Sequence, residues 1–397
     1  MKIDTTVFMP NFWLKFFLLI WITFIPIKTS VYQISFVIIV LLFLAYLKNE
    51  RMPLLQSMLR EYQTIIIAFG LVLVSMTISN TLSPYTTLES WSTEFHYLFR
   101  YFLMFIILSF FSRAKIINKR LVLFCILFSL LFQGINGIYQ SIFGFDFIKS
   151  NASSLYDGLT GATFNRNNFG FFMAIGSALC TGILFYYNEY KLPPKHIIAL
   201  SILLSIFLFN LLFSYSRASW LFYFVFLLIL LASEYKKISI KYILVFLVFL
   251  TLISCMFFYF DNLFFRLCQL LKMSDGGRSP IWNDVIYLIQ QNMIFGYGLM
   301  TYEFIASQPI HSVHNSILEI LLFLGLLGFI VLFLLLYLIL KEILHKKNYF
   351  YLALFFAFLV IMQFDNSIIK SITTLSSLSL FAFFIFEKES QIRQNKT

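Results

Sequence analysis

Charged residues are scarce in this sequence. Asp, Glu, Lys and Arg make up 12% of the 397 residues, whereas hydrophobic residues make up 60%. This apolar composition excludes a disordered chain. Repeated runs of about 17 or more apolar positions also exclude a soluble globular protein. The sequence therefore predicts an all-α, polytopic membrane protein.

Cysteine and histidine are also scarce, with four and five residues. Three of the cysteines lie in apolar runs, where we expect them to be buried: Cys125, Cys180 and Cys255. Cys268 stands alone in an external segment, so the pattern excludes a disulfide framework. His311 and His314 are three positions apart, a spacing that one helix can use for a metal, but no carboxylate completes the ligand set. We therefore expect neither a metal nor another cofactor.

The apolar runs predict about twelve transmembrane helices. They lie near residues 12–27, 31–47, 62–80, 97–112, 120–141, 167–187, 196–213, 217–233, 241–260, 314–340, 349–364 and 370–386. No small-residue cleavage site separates the first two runs, so we expect the first to be retained rather than removed as a signal peptide. Because most connections are short, residues 1–397 are predicted to form one integral membrane domain.

A net charge of +11 would suit a nucleic-acid partner, but the distribution of the cationic residues indicates membrane orientation instead. If the N-terminus is cytoplasmic, most Lys and Arg fall in cytoplasmic connections, while Lys15 lies within the first span. The predicted topology places both termini in the cytoplasm. It leaves three longer segments outside, at 81–96, 142–166 and 261–313, of which the last is the largest.

The large external segment contains a predicted amphipathic helix. Ser279 is a suitable N-cap and Pro280 a suitable first helical residue, so we expect a helix over residues 280–291. Its apolar positions recur at helical spacing: Ile281, Val285, Leu288 and Ile289. Together with Trp282, they predict a helix lying flat on the outer membrane surface.

His314 opens the most apolar run. If the helix extends from His314 to Leu340, it spans about 40 Å and places the histidine at one edge of the bilayer. The positions expected to share its helical face are Leu318, Leu321, Gly325 and Gly328. The two glycines predict a shallow slot beneath the imidazole, which can accept a proton. A histidine that only caps the helix is the alternative, and His311 is a rival in an irregular stretch.

Three arginines precede predicted helices on the external side. Arg217 lies between two apolar spans with almost no loop, and Arg278 follows Gly276 and Gly277 directly before the surface helix. Guanidinium donors beside the free N–H groups of a helix start predict anion binding, and two arginines suit one pyrophosphate. Arg166 is a weaker third candidate. The alternatives are a snorkelling anchor for Arg217 and a solvated loop residue for Arg278.

Asp365 lies at the next predicted external turn. A carboxylate there is suited to orient the histidine or to hold an arginine. It is equally suited to cap the final helix.

At these residues the sequence resembles the O-antigen ligase family. The family signature is His followed by Asn, Ser or Gln, nine residues, Gly, two residues, and then Gly, Thr or Tyr. His314 and Asn315, followed after nine residues by Gly325 and then by Gly328, match it throughout. The other candidates stand where the family carries its essential arginines and acidic residue: Arg217, Arg278 and Asp365.

The resemblance implies a metal-independent glycosyltransferase of the GT-C type in the inner membrane of a Gram-negative bacterium. It would move a finished O-antigen glycan from undecaprenyl pyrophosphate to a sugar of the lipid A core, at the periplasmic face. In this scheme His314 removes the proton from the acceptor hydroxyl and Arg217 and Arg278 stabilise the departing pyrophosphate, and one displacement inverts the anomeric centre. The sequence has no phosphate-binding Walker loop, so the donor must carry its own activation.

Two other functions compete with this interpretation. An O-antigen polymerase would use the same donor with a second lipid-linked glycan as acceptor. A transporter of a lipid or anion would need ionisable residues at mid-membrane along a path of broken helices, whereas the strongest charged candidates here lie at the external edge.

Overall fold

A computed structural model describes residues 5–27, 30–47, 51–237, 251, 255–272, 277–306, 313–364 and 372–387. In these ranges the regular elements are helical, apart from one isolated bridge between Phe145 and Ala152, which confirms the all-α class for this part of the chain. The α-helices are α1 (Thr5–Phe24), α2 (Ser30–Leu47), α3 (Met52–Glu61), α4 (Gln63–Leu82), α5 (Leu88–Tyr97), α6 (Met104–Arg113), α7 (Lys119–Phe143), α8 (Arg166–Phe185), α9 (Pro194–Phe213), α10 (Arg217–Ser233), α11 (Asp261–Leu271), α12 (Ser279–Gln291), α13 (Tyr302–Ile305), α14 (Ser316–His345), α15 (Tyr349–Ile361) and α16 (Ile372–Phe386).

Seven helices of the described chain are long and apolar enough to cross a membrane. They are α2, α4, the continuous helix from α5 to α6, α7, α8, α9 and α14. Shorter apolar helices occur in α1, α10, α15 and α16. Each of these helices overlaps a predicted span. The predicted span 241–260 lies mostly outside the described residues, so the number twelve stays a prediction.

Aromatic contacts fix the relative directions of three helices. The rings in contact belong to Phe171 of α8, Phe222 of α10 and Phe358 of α15. The ring centre of Phe171 lies 5.9 Å from that of Phe222 and 5.8 Å from that of Phe358, and the last two are 5.4 Å apart. Farther along α8 and α10, the ring of Phe350 packs against Gly182 and lies 5.9 Å from the ring of Phe226. Helix α15 therefore runs antiparallel to α8 and α10. The first residues of α8 and α10 and the last residues of α15 lie at one end of the bundle, which we call the site end.

Three ion pairs of the described chain lie at the opposite end. There Lys237 lies 2.7 Å from Glu189 and 3.1 Å from Glu234, and Arg113 lies 2.6 Å from Glu61. Lys346, just before α15, donates to the carbonyl of Ile385, and Glu387 lies 4.0 Å from Arg113. Arg113 and Lys237, which lie in connections predicted to be cytoplasmic, thus share one end of the described bundle, away from Arg166 and Arg217.

Helix α14 is broken at Gly325, whose backbone has φ 63° and ψ −164°. The break frees carbonyl and N–H groups, which must find partners inside the protein when they lie at membrane depth. The segment 293–298 supplies these partners. Its Tyr297 and Gly298 N–H groups donate to Leu322 and Phe323 at 2.9 Å, and its carbonyls at Met293 and Ile294 accept from Leu326 and Leu327 at 2.8 and 3.2 Å.

The predicted face with a slot beneath His314 is therefore wrong. His314 precedes the helix, and the break at Gly325 interrupts the helical periodicity on which the face depends. A Cβ at Gly325 would overlap the Ile294 carbonyl, and one at Gly296 would lie 2.5 Å from the carbonyl carbon of Phe323. Glycine is needed at both positions because the backbone of α14 and that of segment 293–298 approach each other closely. Segment 293–298 therefore fills the space where the slot was expected.

Two amphipathic helices lie in the segment predicted to be external. Helix α12 confirms the predicted helix within one residue, and its buried side chains are Val285, Leu288 and Ile289. Its N-cap position is occupied by Arg278 rather than by Ser279, and no side chain caps it. Helix α11 was not predicted. It buries Leu263 and exposes Phe264, Phe265 and Leu271.

Two side chains in apolar segments depart from expectation. Arg100 lies in a π-helical turn, Leu98–Leu103, between α5 and α6, where it is buried and its guanidinium carbon lies 5.1 Å from the ring centre of Tyr32. The sequence had singled out only Lys15 as a cation within a span. Cys125 and Cys180 are buried as predicted, but Cys255 is exposed.

Candidate functional site

His314 lies between two residues that are held by hydrogen bonds. The preceding Val313 is buried and its carbonyl accepts a hydrogen bond of 3.1 Å from the indole N–H of Trp282. The following Asn315 is the N-cap of α14, and its side chain accepts from the N–H groups of Ile317 and Leu318 at 3.0 and 3.1 Å. The chain is thus held on both sides of His314, which is half-buried.

His314 itself has a left-handed backbone, with φ 53°. This conformation costs a non-glycine residue about 1–2 kcal/mol and persists only where the surrounding structure imposes it. Such strain often occurs at functional sites. Because Asn315 occupies the N-cap position, the interpretation of His314 as a helix cap loses its basis.

Arg278 connects the start of α12 to the end of α15. Its Nη1 donates to the carbonyl of Phe364, and the N–H of Ser316 donates to the carbonyl of Met362 at 2.9 Å. The residues around His314, the end of α15 and Arg278 are therefore joined by hydrogen bonds. Asp365 follows Phe364 directly but lies outside the described residues, as does His311.

Arg217 is the first residue of α10 at the site end. Its N-cap, Ser216, accepts a 3.4 Å hydrogen bond from the N–H of Ser219, which leaves the arginine at a capped helix start. The Arg217 side chain is half-buried, and its Nη1 donates to the carbonyl of Gln269 in α11 at 3.2 Å. This contact with a second helix gives Arg217 a defined position, which a snorkelling side chain would not require.

Arg166 begins α8 at the same end. The side chain of Asn165 caps this helix by accepting from the N–H groups of Asn167 and Asn168 at 2.7 and 3.3 Å. The Arg166 side chain passes over Gly158, where a Cβ would lie 3.6 Å from its Cδ and 3.0 Å from the ring of Tyr215. Arg166 is thereby placed beside the turn that precedes Arg217.

A third arginine, Arg266 of α11, belongs to the same group. Burial lowers its pKa below the usual arginine value, and the positive charges of Arg166 and Arg217 lower it further, while Tyr215 acts in the opposite direction. The three residues form what we call the arginine cluster: Arg166, Arg217 and Arg266. Like charges kept together at the edge of the bundle indicate a site for an anion.

Sequence analysis missed two residues of this region. Arg266 was overlooked because α11 is too polar to register as a span, although its helical spacing of apolar residues was available as a signal. Glu319 lies in the first turn of α14 and is buried, with its N–H bonded to the carbonyl of Asn315 at 2.9 Å. An acidic residue here is favoured by the helix dipole.

The predicted residues thus fall into two groups at the site end. Arg166 and Arg217 meet in the arginine cluster, whereas Arg278 and His314 are linked through α12, α14 and the end of α15. In the described part of the chain, no group of three or more His, Cys, Asp and Glu side chains is arranged to hold a metal ion.

Comparison with known families agrees with the signature. A family model described as O-Antigen ligase matches residues 200–333, which contain the whole signature together with Arg217, Arg266 and Arg278. The resemblance to this family is therefore confirmed over that region, while Arg166 and Asp365 lie outside it. No curated protein matches the chain.

Proposed function

We propose that this chain, which matches the O-Antigen ligase family model at residues 200–333, transfers a glycan from undecaprenyl pyrophosphate to a sugar hydroxyl of the lipid A core. The observation that carries the proposal is the arginine cluster at the same end of the bundle as His314. A lipid-linked diphosphate supplies the anion that such a cluster would bind. It also carries its own activation, so that no nucleotide is needed outside the cytoplasm.

The reaction is a single displacement in which the acceptor oxygen attacks the anomeric carbon. The bond between that carbon and the diphosphate oxygen breaks, and undecaprenyl pyrophosphate leaves with the electron pair. Arg217 and Arg278 stabilise the charge that develops on the leaving diphosphate, and Arg166 supports them. His314 takes the acceptor proton, and Asp365 or Glu319 orients its ring. One displacement inverts the anomeric configuration, and the scheme requires no metal.

The enzyme is proposed to be a GT-C-type protein with twelve spans in the bacterial inner membrane. Its single domain has both termini in the cytoplasm and the site end, including the segment 261–313, in the periplasm. The concentration of cationic connections at the opposite end supports this orientation.

A transfer assay tests the proposal. Purified protein is incubated with a lipid-linked glycan and rough lipopolysaccharide, with and without a chelator, and the glycosylated lipopolysaccharide is measured. We expect product in both conditions. His314→Ala should lower the rate by at least about 100-fold, because it removes the proton acceptor.

His196→Ala is the matched control, because His196 is exposed at the first turn of α9, at the opposite end. It should transfer glycan at the wild-type rate. Full activity of His314→Ala at a normal protein level would remove the histidine from the mechanism. Loss of activity with the chelator would refute the metal-independent scheme.

A polymerase remains the second candidate, because the arginine cluster would serve the same donor. The mutant phenotype separates the two functions. Deletion of a ligase should leave long glycans on the undecaprenyl carrier and bare core on lipid A, whereas deletion of a polymerase should leave a single repeat attached to the core. A transporter, as the remoter candidate, would move the lipid or anion without forming a glycosidic bond.

A further inference from the structure

We propose that helix α11 forms part of the binding site for the diphosphate of the lipid-linked donor. In this proposal Arg266 contacts the diphosphate directly, and Gln269 positions both Arg266 and Arg217. The inference rests on the proposed function, since it assigns further residues to the donor site. It also makes a binding claim that can be tested without glycan transfer.

Gln269 contacts two arginines through two different groups. Its backbone carbonyl accepts from Nη1 of Arg217 at 3.2 Å, and its side-chain Oε1 accepts from Nη1 of Arg266 at 3.0 Å. A guanidinium has five N–H donors, so each arginine keeps further donors when one is used by Gln269. The glutamine therefore fixes the distance and orientation of two cations that would otherwise repel each other.

Arg266 is held where its positive charge is disfavoured. The pKa of Arg266 is lowered by burial and by the charges of Arg166 and Arg217. In the free protein, burial and the neighbouring like charges therefore make the charged form of Arg266 less favourable. A diphosphate, with several negative charges and many acceptor oxygens, relieves that cost when it binds.

The placement of α11 suits a lipid ligand. Its first turn is tied to the segment before α8, because Nδ2 of Asn262 donates to the carbonyl of Tyr156 at 3.0 Å. Leu263 is fully buried, whereas Phe264, Phe265 and Leu271 are exposed. An amphipathic helix of this kind lies at the membrane interface, with its apolar side chains toward the acyl chains. Arg266 would thus meet a phosphate at the depth where a polyprenyl chain enters the bilayer.

The direct test measures binding by the full-length protein in nanodiscs of a zwitterionic phospholipid, with undecaprenyl diphosphate as the probe. Arg266→Gln should weaken binding by about tenfold, because a charge-assisted hydrogen bond is lost. Lys272→Gln is the matched control, since Lys272 is an exposed cation at the end of the same helix. It should bind as the wild type does. Wild-type binding by Arg266→Gln would overturn the proposal.

Competition with inorganic pyrophosphate separates the two sources of a diphosphate. Pyrophosphate should displace the lipid probe from the wild type but bind more weakly, because it lacks the polyprenyl chain. If pyrophosphate binds as tightly as the lipid, the interfacial part of the proposal is wrong. Thermal unfolding of each variant checks that the loss of binding is not a loss of fold.

A double-mutant comparison tests the positioning role of Gln269. Gln269→Ala removes the acceptor for Arg266 but keeps the backbone carbonyl that holds Arg217. It should weaken binding several-fold, and adding it to Arg266→Gln should cause little further loss. Additive losses would show that Gln269 does not act through Arg266. Arg266→Lys keeps the charge but loses the planar group, so it should not restore full affinity.

These results are distinguishable from those of the transfer assay. If Arg266→Gln loses lipid binding while the wild type forms no glycosidic bond, the donor-site inference stands and the ligase proposal fails. If the wild type transfers glycan and Arg266→Gln binds and transfers normally, only the role of α11 is refuted.

Discussion

Asn315 controls the position of His314 through the backbone. Its side chain caps α14, and the signature permits Asn, Ser or Gln at this position, each of which carries a hydrogen-bonding side chain. Asn315→Ala should lower the free energy of unfolding by about 1 kcal/mol, which is typical of a lost N-cap. It should also lower glycan transfer, because the left-handed backbone of His314, directly before the N-cap, is no longer held in place. Asn315→Ser should retain most of both properties.

Asn118 provides a matched control for this substitution. It caps α7 in the same way, accepting from the N–H of Leu121 at 2.8 Å. Asn118→Ala should cause a similar loss in thermal stability without a specific loss of transfer. If the two alanine variants transfer glycan equally well per folded molecule, then Asn315 has only a structural role.

At the residue scale, the sequence located cations at helix starts but not their partners. Arg166 and Arg217 were recognisable because each directly precedes an apolar run. Their association with Arg266 depends on the packing of α11 against the start of α10, between residues about 50 positions apart, as the Arg217 to Gln269 hydrogen bond shows. No local pattern specifies such a contact.

At the element scale, hydropathy identified the apolar helices of the described chain, but neither the polar helix α11 nor the break in α14. A glycine in a long apolar run is compatible with an unbroken helix, and the run from Ser316 to His345 gives no other warning. The break is stabilised by residues 293–298, which lie in a segment predicted to be external and pair with Leu322 to Leu327. Only the tertiary structure brings these two stretches together.

Gly325→Ala tests the importance of this break. The substitution places a Cβ against the Ile294 carbonyl, and the residue must keep a backbone conformation that only glycine adopts readily. It should therefore cost at least about 1–3 kcal/mol. We expect a lower midpoint of thermal unfolding and less folded protein in the membrane. The matched control is Gly70→Ala in α4, where a Cβ meets nothing within 4 Å.

Gly70→Ala should leave stability unchanged or raise it slightly, because alanine is the better helix former. A wild-type midpoint for Gly325→Ala would show that α14 can run straight through this position. The docking of segment 293–298 would then be unnecessary for folding.

For the whole molecule, the order of apolar helices followed from the sequence because membrane spans require long apolar stretches. Their arrangement did not, because it depends on contacts such as those among Phe171, Phe222 and Phe358. With 52 phenylalanines in the chain, no pattern marks the few that join helices. The separation of the arginine cluster from the ion-paired end is a property of that arrangement.

Orientation in the membrane is the remaining whole-molecule prediction. Tyr156, at the site end, is 77% exposed, and Tyr235, at the opposite end, is 63% exposed. In a variant without native cysteines, Tyr156→Cys should react with a membrane-impermeant maleimide in intact spheroplasts. Tyr235→Cys should react only after the membrane is opened, because the cationic end is expected to stay in the cytoplasm.

Reaction of both cysteines in intact spheroplasts would contradict a single orientation. Reaction of Tyr235→Cys alone would invert the topology. In that case the arginine cluster and His314 would face the cytoplasm, where a periplasmic acceptor cannot reach them. The ligase mechanism would then fail even if the arginine cluster bound a diphosphate, because the site and the lipid A core would lie on opposite sides of the membrane.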